Sequence, residues 1–316
     1  MLDAHSHWQT AVLPWQQPTL DKLIETYRAG RLPHALLLLG SQGAGAELFV
    51  AGLAARLLCQ QEQGQPCGDC EGCQVARGGG HGDYRWLAPE EGKRAIGIDA
   101  VRAGIGFLQQ TAAYGGLKLL VLTPAEAMTP AAANALLKTL EEPAGDALVV
   151  LTSGRPSDLP ATIRSRCQQL RLPTGDIESQ RQWLTEQMPE VTRLDELLTF
   201  CDGRVMEALS IAQSGGSDAL LAQQDTLKGL LLGSVSAGQV LSATADMPTE
   251  QVLLALLNLL VMDLRRCANE GLALPPRVFD LQRDLQRVLS AVHRGGNLAR
   301  DLLLRDVFRQ VDGCLR

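Results

Sequence analysis

The first half of the chain alternates between two apolar rhythms. ALLLLG (35–40), LKLLVLT (117–123) and ALVVLTS (147–153) are continuous apolar runs, the pattern of strands buried on both faces of a parallel sheet. YRWLAP (84–89) and QQLRL (168–172) are shorter strand candidates. Between these runs, helical spacing predicts helices over AELFVAGLAARLLC (46–59), IDAVRAGIGFLQQTA (98–112) and PAAANALLKTLEE (130–142). The last has Pro130 at its start and Pro143 after its end, where a helix tolerates and then excludes proline. Such alternation implies βαβ units and a parallel sheet flanked by helices.

After Pro173 the strand signals cease. Residues 177 to 214 predict three short helices, IESQRQWLTEQM, RLDELLTF and RVMEALSIAQ. A Gly-Gly-Ser turn at 215–217 leads into a second helical block with long amphipathic stretches such as TEQVLLALLNLLVMDLRR and LARDLLLRDVFRQV. With 316 residues the chain exceeds a single core, and three domains are expected: an α/β domain at 1–174, a three-helix domain at 175–215 and an all-α domain at 216–316.

The greasiest stretch, VLLALLNLLVM (252–262), is interrupted by Asn258 and bounded by Glu250 and Asp263. It is shorter than the ~20 apolar residues a bilayer requires, so no membrane association is expected. The N-terminal MLDAHSHWQTAVLPW lacks a basic stretch followed by an apolar one, and the chain reads as cytoplasmic. Hydrophobic residues make up 46% and aromatics only 4%, which fits a helix-rich protein with one sheet. A net charge of −6 argues against a continuous basic face for coating duplex DNA.

Candidate chemistry begins where the first apolar run ends. Gly40 and Gly45 keep the spacing of a phosphate-binding loop, G-x-x-x-x-G-K-[ST], and Gly43 adds flexibility, but Ala46 stands where the loop carries lysine and Glu47 where it carries the metal-binding hydroxyl. A carboxylate there repels phosphates by about 1–4 kcal/mol at contact range. An ordinary glycine-rich turn between strand and helix is the alternative for the loop alone. The strand that should end in an acidic metal ligand, LKLLVLT, instead exits through Thr123-Pro124.

Cys59, Cys67, Cys70 and Cys73 form C-x7-C-x2-C-x2-C among the eight cysteines. In a reducing compartment this spacing predicts a closed, structural zinc shell of four cysteines in preference to free thiols or disulfides. No Lys or Arg lies between Cys59 and Cys73, while Glu62, Asp69 and Glu71 do, which disfavours nucleic-acid binding by the knuckle. Cys167, Cys201, Cys267 and Cys314 lack ligand spacing and are expected as small buried apolar residues.

LPHALLLLGSQGAG (32–45), the cysteine cluster at 59–73, AANALLKTLEEP (132–143) and TIRSRC (162–167) together resemble the AAA+ clamp-loader family, in its order and spacing, through about the first 175 residues. The resemblance implies an AAA+ (RecA-like) domain with an inserted zinc module (about 59–80), a helical lid and a C-terminal helical collar for oligomerisation. It further implies a non-hydrolysing stator in a hetero-pentamer with gamma/tau and delta subunits, within the DNA polymerase III holoenzyme, that opens the sliding clamp and places it on primed DNA. Members of this kind characteristically lack the loop lysine, so no productive ATP binding is expected at Gly40, Gly43 and Gly45. Arg166, in the Ser165-Arg166-Cys167 triplet, is implied as an arginine finger reaching into a neighbour's ATP site; Arg164 is a weaker candidate. The position resembling the sensor arginine of active lids is Met206. Leu136, Leu137 and Leu140 are expected in the core, with Lys138, Glu141 and Glu142 as candidates for coupling between subunits. The competing readings are an active P-loop ATPase, either a motor clamp-loader subunit or a nucleotide kinase, and a zinc-dependent nucleic-acid-binding module.

Overall fold

The computed structural model of the chain describes residues 12–61, 65–77, 80–114, 116–143, 145–271, 276–293 and 299–312. It divides into two compact units, one formed by the chain up to Pro189 with Cys201–Leu209, the other by Glu190–Phe200 and the chain from Ser210 onward.

In the first unit five strands, β1 (Ala35–Leu39), β2 (Tyr84–Leu87), β3 (Lys118–Leu122), β4 (Ala147–Ser153) and β5 (Gln168–Arg171), pair in the order β2-β3-β4-β1-β5. Every ladder is parallel, with Leu36 level with both Val150 and Gln168. Helices α1 (Gln17–Arg28), α2 (Ala46–Leu58), α3 (Glu71–Arg77), α4 (Ile98–Leu108), α5 (Pro130–Glu141), α6 (Ala161–Arg164) and α7 (Ile177–Gln187) belong to the same unit. Successive strand side chains alternate between faces. Leu36, Leu38, Leu119, Val121 and Val150 pack with Leu20 and Ile24 of α1 and with Phe49 and Leu53 of α2. Leu37, Leu120, Leu122, Val149 and Leu151 pack with Val101 and Leu108 of α4 and with Leu136 and Leu140 of α5. At about 1.5–3 kcal/mol per fully buried Leu or Val, these two layers hold the sheet.

Helix α5 starts as its sequence demands. The Thr129 hydroxyl accepts from the Ala132 N–H at 3.2 Å, and Pro130 occupies the first turn, where its missing N–H costs nothing. Helix α4 is shorter than its periodicity predicts, closing at Leu108 rather than Ala112. The cause is tertiary: the N–H groups of Ala113 and Tyr114 turn to the Asp83 carboxylate, at 2.7 and 3.0 Å.

Helix α8 (Leu194–Phe200) belongs to the second unit, and α9 (Val205–Gln213) begins in the first and ends in the second. Helices α10 (Ser217–Leu231), α11 (Ala237–Ala243), α12 (Thr249–Asn269), α13 (Pro276–His293) and α14 (Arg300–Val311) complete the second unit. Its core joins Leu230, Leu256, Leu260, Val278, Leu285 and Phe308. Among the described residues no helix is long and apolar enough to cross a membrane. Cys167 and Cys201 are buried as expected, Cys267 is only half-buried, and Cys314 lies outside the described residues.

A buried ion pair ties β3 to the segment before β2. Lys118 Nζ lies 3.0 Å from Asp83 Oδ1, donates to the Gly82 carbonyl at 2.9 Å and sits over the Phe107 ring. Burial by itself raises the Asp83 pKa, but the two backbone N–H donors and Lys118 prevail, leaving it below its ordinary 3.8. Asp83 therefore contributes stability that is complete above about pH 4 and is lost as pH falls through its lower native pKa. Asp83→Asn should cost about 3–5 kcal/mol at pH 7, because it leaves Lys118 buried without its counter-charge, and should flatten the acid limb of stability. Urea melts of both proteins between pH 3 and 7 measure this.

Candidate functional site

β1 delivers the glycine loop at the carboxyl edge of the sheet. Gly40 N–H donates to Ser153 O at 3.1 Å, fastening the loop to the end of β4, and Ala44 N–H returns to Ser41 O at 3.0 Å. Gly43 and Gly45 have φ of 80° and 93°, a left-handed backbone that a side chain would strain. The backbone thus has the turn of an anion cradle. Its surroundings pack closely against it. Ala46, in the lysine position, is 3% exposed and packs in the core with Phe49 and Leu36, while Glu47 lies in the first turn of α2. A Cβ at Gly45 would run into the Leu13 side chain, and Gln16 Nε2 donates to Ala44 O at 3.3 Å.

The amino end of α9 meets the loop. Met206 and Glu207 N–H both donate to the Gly43 carbonyl, at 2.9 and 3.3 Å, and a Cβ at Gly43 would lie 3.0 Å from Glu207 Cβ and 3.5 Å from its Oε2. Burial raises the Glu207 carboxyl above its ordinary value, although the paired Arg204 opposes the shift. The helix end that elsewhere would serve an anion here serves the loop's own carbonyl. Met206, expected from the resemblance at the sensor position, is here a backbone donor to the loop, and Glu207, which the sequence pattern did not single out, brings a carboxylate to the loop.

At the exits of β3 and β4, the Thr123 and Thr152 hydroxyls share a 2.6 Å hydrogen bond. Three residues past Thr123, Glu126 Oε1 accepts from Gly154 N–H at 3.1 Å and Arg155 N–H at 3.2 Å. A Cβ at Gly154 would lie 3.3 Å from Gln42 N, so this clasp sets the β4 exit against the glycine loop. Glu126 is an acidic group near the β3 exit that the strand pattern did not reveal. It holds backbone.

The cysteine cluster forms as the spacing predicts. The Sγ atoms of Cys59, Cys67, Cys70 and Cys73 lie within 4.8 Å of one another, with Cys59–Cys67 at 3.6 Å and Cys67–Cys73 at 4.0 Å. A tetrahedron of ~2.3 Å zinc–thiolate bonds has edges of about 3.8 Å, so four sulfurs at these separations suit one such ion. Cys59 follows the last turn of α2, and Cys73 lies within α3. The N–H groups of Cys67, Cys70 and Cys73 point at Cys59, Cys67 and Cys70 Sγ, at 3.3–3.4 Å, an arrangement suited to thiolates. The backbone donors of Cys70 and Asp69 hold the Cys67 thiol down at about 7, whereas burial pushes Cys73 up to about 12. A bound cation reverses that penalty. Of the acidic residues expected around the knuckle, Glu62 lies outside the described residues.

Arg166 lies apart from the glycine loop. It precedes β5, whose first residue, Gln168, is level with Leu36, so at ~3.3 Å per residue at least ~13 Å of strand separates it from Gly40. Its Nε donates to Glu141 Oε1 at 2.6 Å, its Nη2 meets the same oxygen, and its Nη1 donates to Thr162 O at 3.0 Å.

The family model described as DNA polymerase III, delta subunit, matches residues 15–176. The chain is 40% identical to the DNA polymerase III subunit delta' of Escherichia coli, over 75% of this chain and 71% of that one, and 38% identical to the subunit delta' of Pseudomonas aeruginosa, over 75% and 72%. It is also 29% identical to the Escherichia coli DNA polymerase III subunit tau, over 73% of this chain and 37% of that one. Among solved structures, a gamma subunit-related protein of DNA polymerase III from Thermotoga maritima aligns with TM-score 0.53 at 18% identity, over 95% of this chain and all of that one, and has a similar fold.

Purified chain is expected to carry one metal ion, zinc, measured by elemental analysis. Cys70→Ser should lower occupancy, and strong chelation should increase hydrogen exchange at residues 65–77 while leaving β1, β3 and β4 protected.

Proposed function

The chain belongs to the DNA polymerase III delta' family, and from that premise we propose that it is a non-hydrolysing stator of the clamp loader. In this reading it joins gamma/tau and delta subunits in a hetero-pentamer, through its C-terminal helices, and takes part in loading the sliding clamp onto primed DNA in the cytoplasm. The division into an AAA+ domain (1–174), a lid (175–215) and a collar (216–316) belongs to the same proposal. The four-cysteine cluster holds a structural zinc ion, and no productive ATP binding occurs at the relic loop.

One observation carries the reading: the loop has lost its cation, while Arg166 stands at the far side of the sheet. Ala46 is packed into the core, Glu47 and Glu207 bring carboxylates to the loop, and the exit of β3 presents Thr123 in place of a metal-binding acid. Arg166 cannot serve its own loop across the length of β1, so a guanidinium there acts on a neighbour's nucleotide. Fingers supplied in this way are worth roughly 10³ to 10⁵ in rate in well-studied phosphoryl transfers.

Equilibrium dialysis of the isolated chain should detect no Mg²⁺-dependent ATP binding with Kd below about 1 mM, and saturable micromolar binding would contradict the stator reading. In the ring reconstituted with gamma/tau and delta, Arg166→Ala should leave assembled mass unchanged and remove one neighbouring site's share of DNA-dependent ATP turnover. Turnover equal to the unmodified ring would remove the finger from the proposal.

A further inference from the structure

The guanidinium of Arg166 is held from two sides by its own chain. Glu141, the last residue of α5, takes the edge formed by Nε and Nη2 on its Oε1, and the Thr162 carbonyl of α6 takes one N–H of Nη1 at 3.0 Å; Ser165 Oγ stands 3.5 Å from the same nitrogen. A guanidinium carries five N–H donors in a rigid plane. Nε is engaged by Glu141, whose oxygen also meets Nη2, and Nη1 donates to both the Thr162 carbonyl and Ser165 Oγ. Nη2 keeps an N–H beyond the one turned toward Glu141, and such a charged donor suits a phosphate or carboxylate oxygen.

We propose that Glu141 is a positioning residue for Arg166: it fixes the orientation of the guanidinium so that Nη2 can meet an anionic oxygen supplied by an adjacent subunit. The inference rests on the finger reading of Arg166 and deepens it. Glu141 and Arg166 are partly exposed, with side chains 49% and 33% accessible, so the pair lies at a surface where an external group can approach. The placement follows from the fold. Helix α5 is anchored at its start by Thr129 and along its length by Leu136 and Leu140, which fixes where its last residue emerges, while Ile163 is fully buried and seats α6 beside it. An arginine without these contacts would distribute among many rotamers and would have to be ordered each time an anion arrived. Displacement of a catalytic group by about 1 Å can cost on the order of 10² in rate. The carboxylate also offsets part of the positive charge, so its contribution is one of direction rather than of potential.

The test compares complete reconstituted rings containing the unmodified chain, Glu141→Ala, Glu141→Gln, Arg166→Ala, or Glu141→Ala with Arg166→Ala, with assembled mass and DNA-dependent ATP turnover measured for each. Glu141→Ala should assemble normally and lower turnover at the neighbouring site about 10-fold, with little change in KM for ATP. Glu141→Gln retains an oxygen that accepts from the guanidinium and should recover most of that loss. The double variant should be no slower than Arg166→Ala alone, because Glu141 has nothing left to orient. An additive double variant, or normal turnover by Glu141→Ala beside an impaired Arg166→Ala, overturns the role given to Glu141 and leaves the finger standing. Normal turnover by Arg166→Ala overturns the finger itself, and this inference with it.

Discussion

The parallel register of the sheet is the constraint on which the rest of this molecule depends. Because every strand runs the same way, all strand exits gather at one edge and all entrances at the other. The glycine loop, the Thr123–Thr152 pair and the Glu126 clasp fall on the exit edge, and Arg166 precedes the entrance of β5. A cation at the entrance edge is out of reach of any ligand bound at the exit edge of the same sheet. Strand direction therefore sets Arg166 apart from the glycine loop of its own chain, which supports the proposal that it acts on a neighbour.

At the exit edge, several polar groups are paired from within the chain, although Glu126 Oε2 and Gln16 Oε1 are buried with no hydrogen-bond partner among the described residues. The Gly43 carbonyl receives two N–H groups from α9, the hydroxyls of Thr123 and Thr152 bind each other, and Glu126 holds the backbone of the β4 exit. Buried polar groups are costly when left unpaired, at about 1–3 kcal/mol each. These contacts supply such pairing for the Gly43 carbonyl, the two hydroxyls and Glu126 Oε1. Ala46 is the apolar counterpart: a lysine there would have to leave the core to meet a phosphate, whereas alanine simply packs.

How far the sequence discloses this arrangement depends on the range of the forces involved. The five strands were legible because a run such as ALVVLTS has no other stable place than between two layers of helices. The cysteine cluster was legible because its spacing is local. Helix α1 announces itself only through the helical spacing of Leu20, Leu23 and Ile24, a short signal next to the strand runs. The end of α4 is not legible locally, because Asp83, some 30 residues earlier, binds the backbone N–H groups of Ala113 and Tyr114 beyond it. Glu126 and Glu207 escaped notice for the same reason: what each does is decided by backbone groups far away in sequence. Arg166 could be selected only through its motif, and nothing local to TIRSRC identifies Glu141 as its partner.

The contact between α9 and the loop bears on what such a chain can contribute to a machine driven by ATP. In a subunit that uses nucleotide, the amino end of such a helix and the glycine loop face each other across a ligand, and their separation can follow the state of that ligand. Here they touch directly, because the Gly43 carbonyl accepts from the Met206 and Glu207 N–H groups. A ligand shifts an equilibrium only by its differential affinity for the two states, so under the stator proposal this contact would stay as it is while neighbours respond to nucleotide. Such a chain can hold a fixed surface against which neighbours move, and a guanidinium oriented by Glu141 and Thr162 is a group whose value depends on being held still.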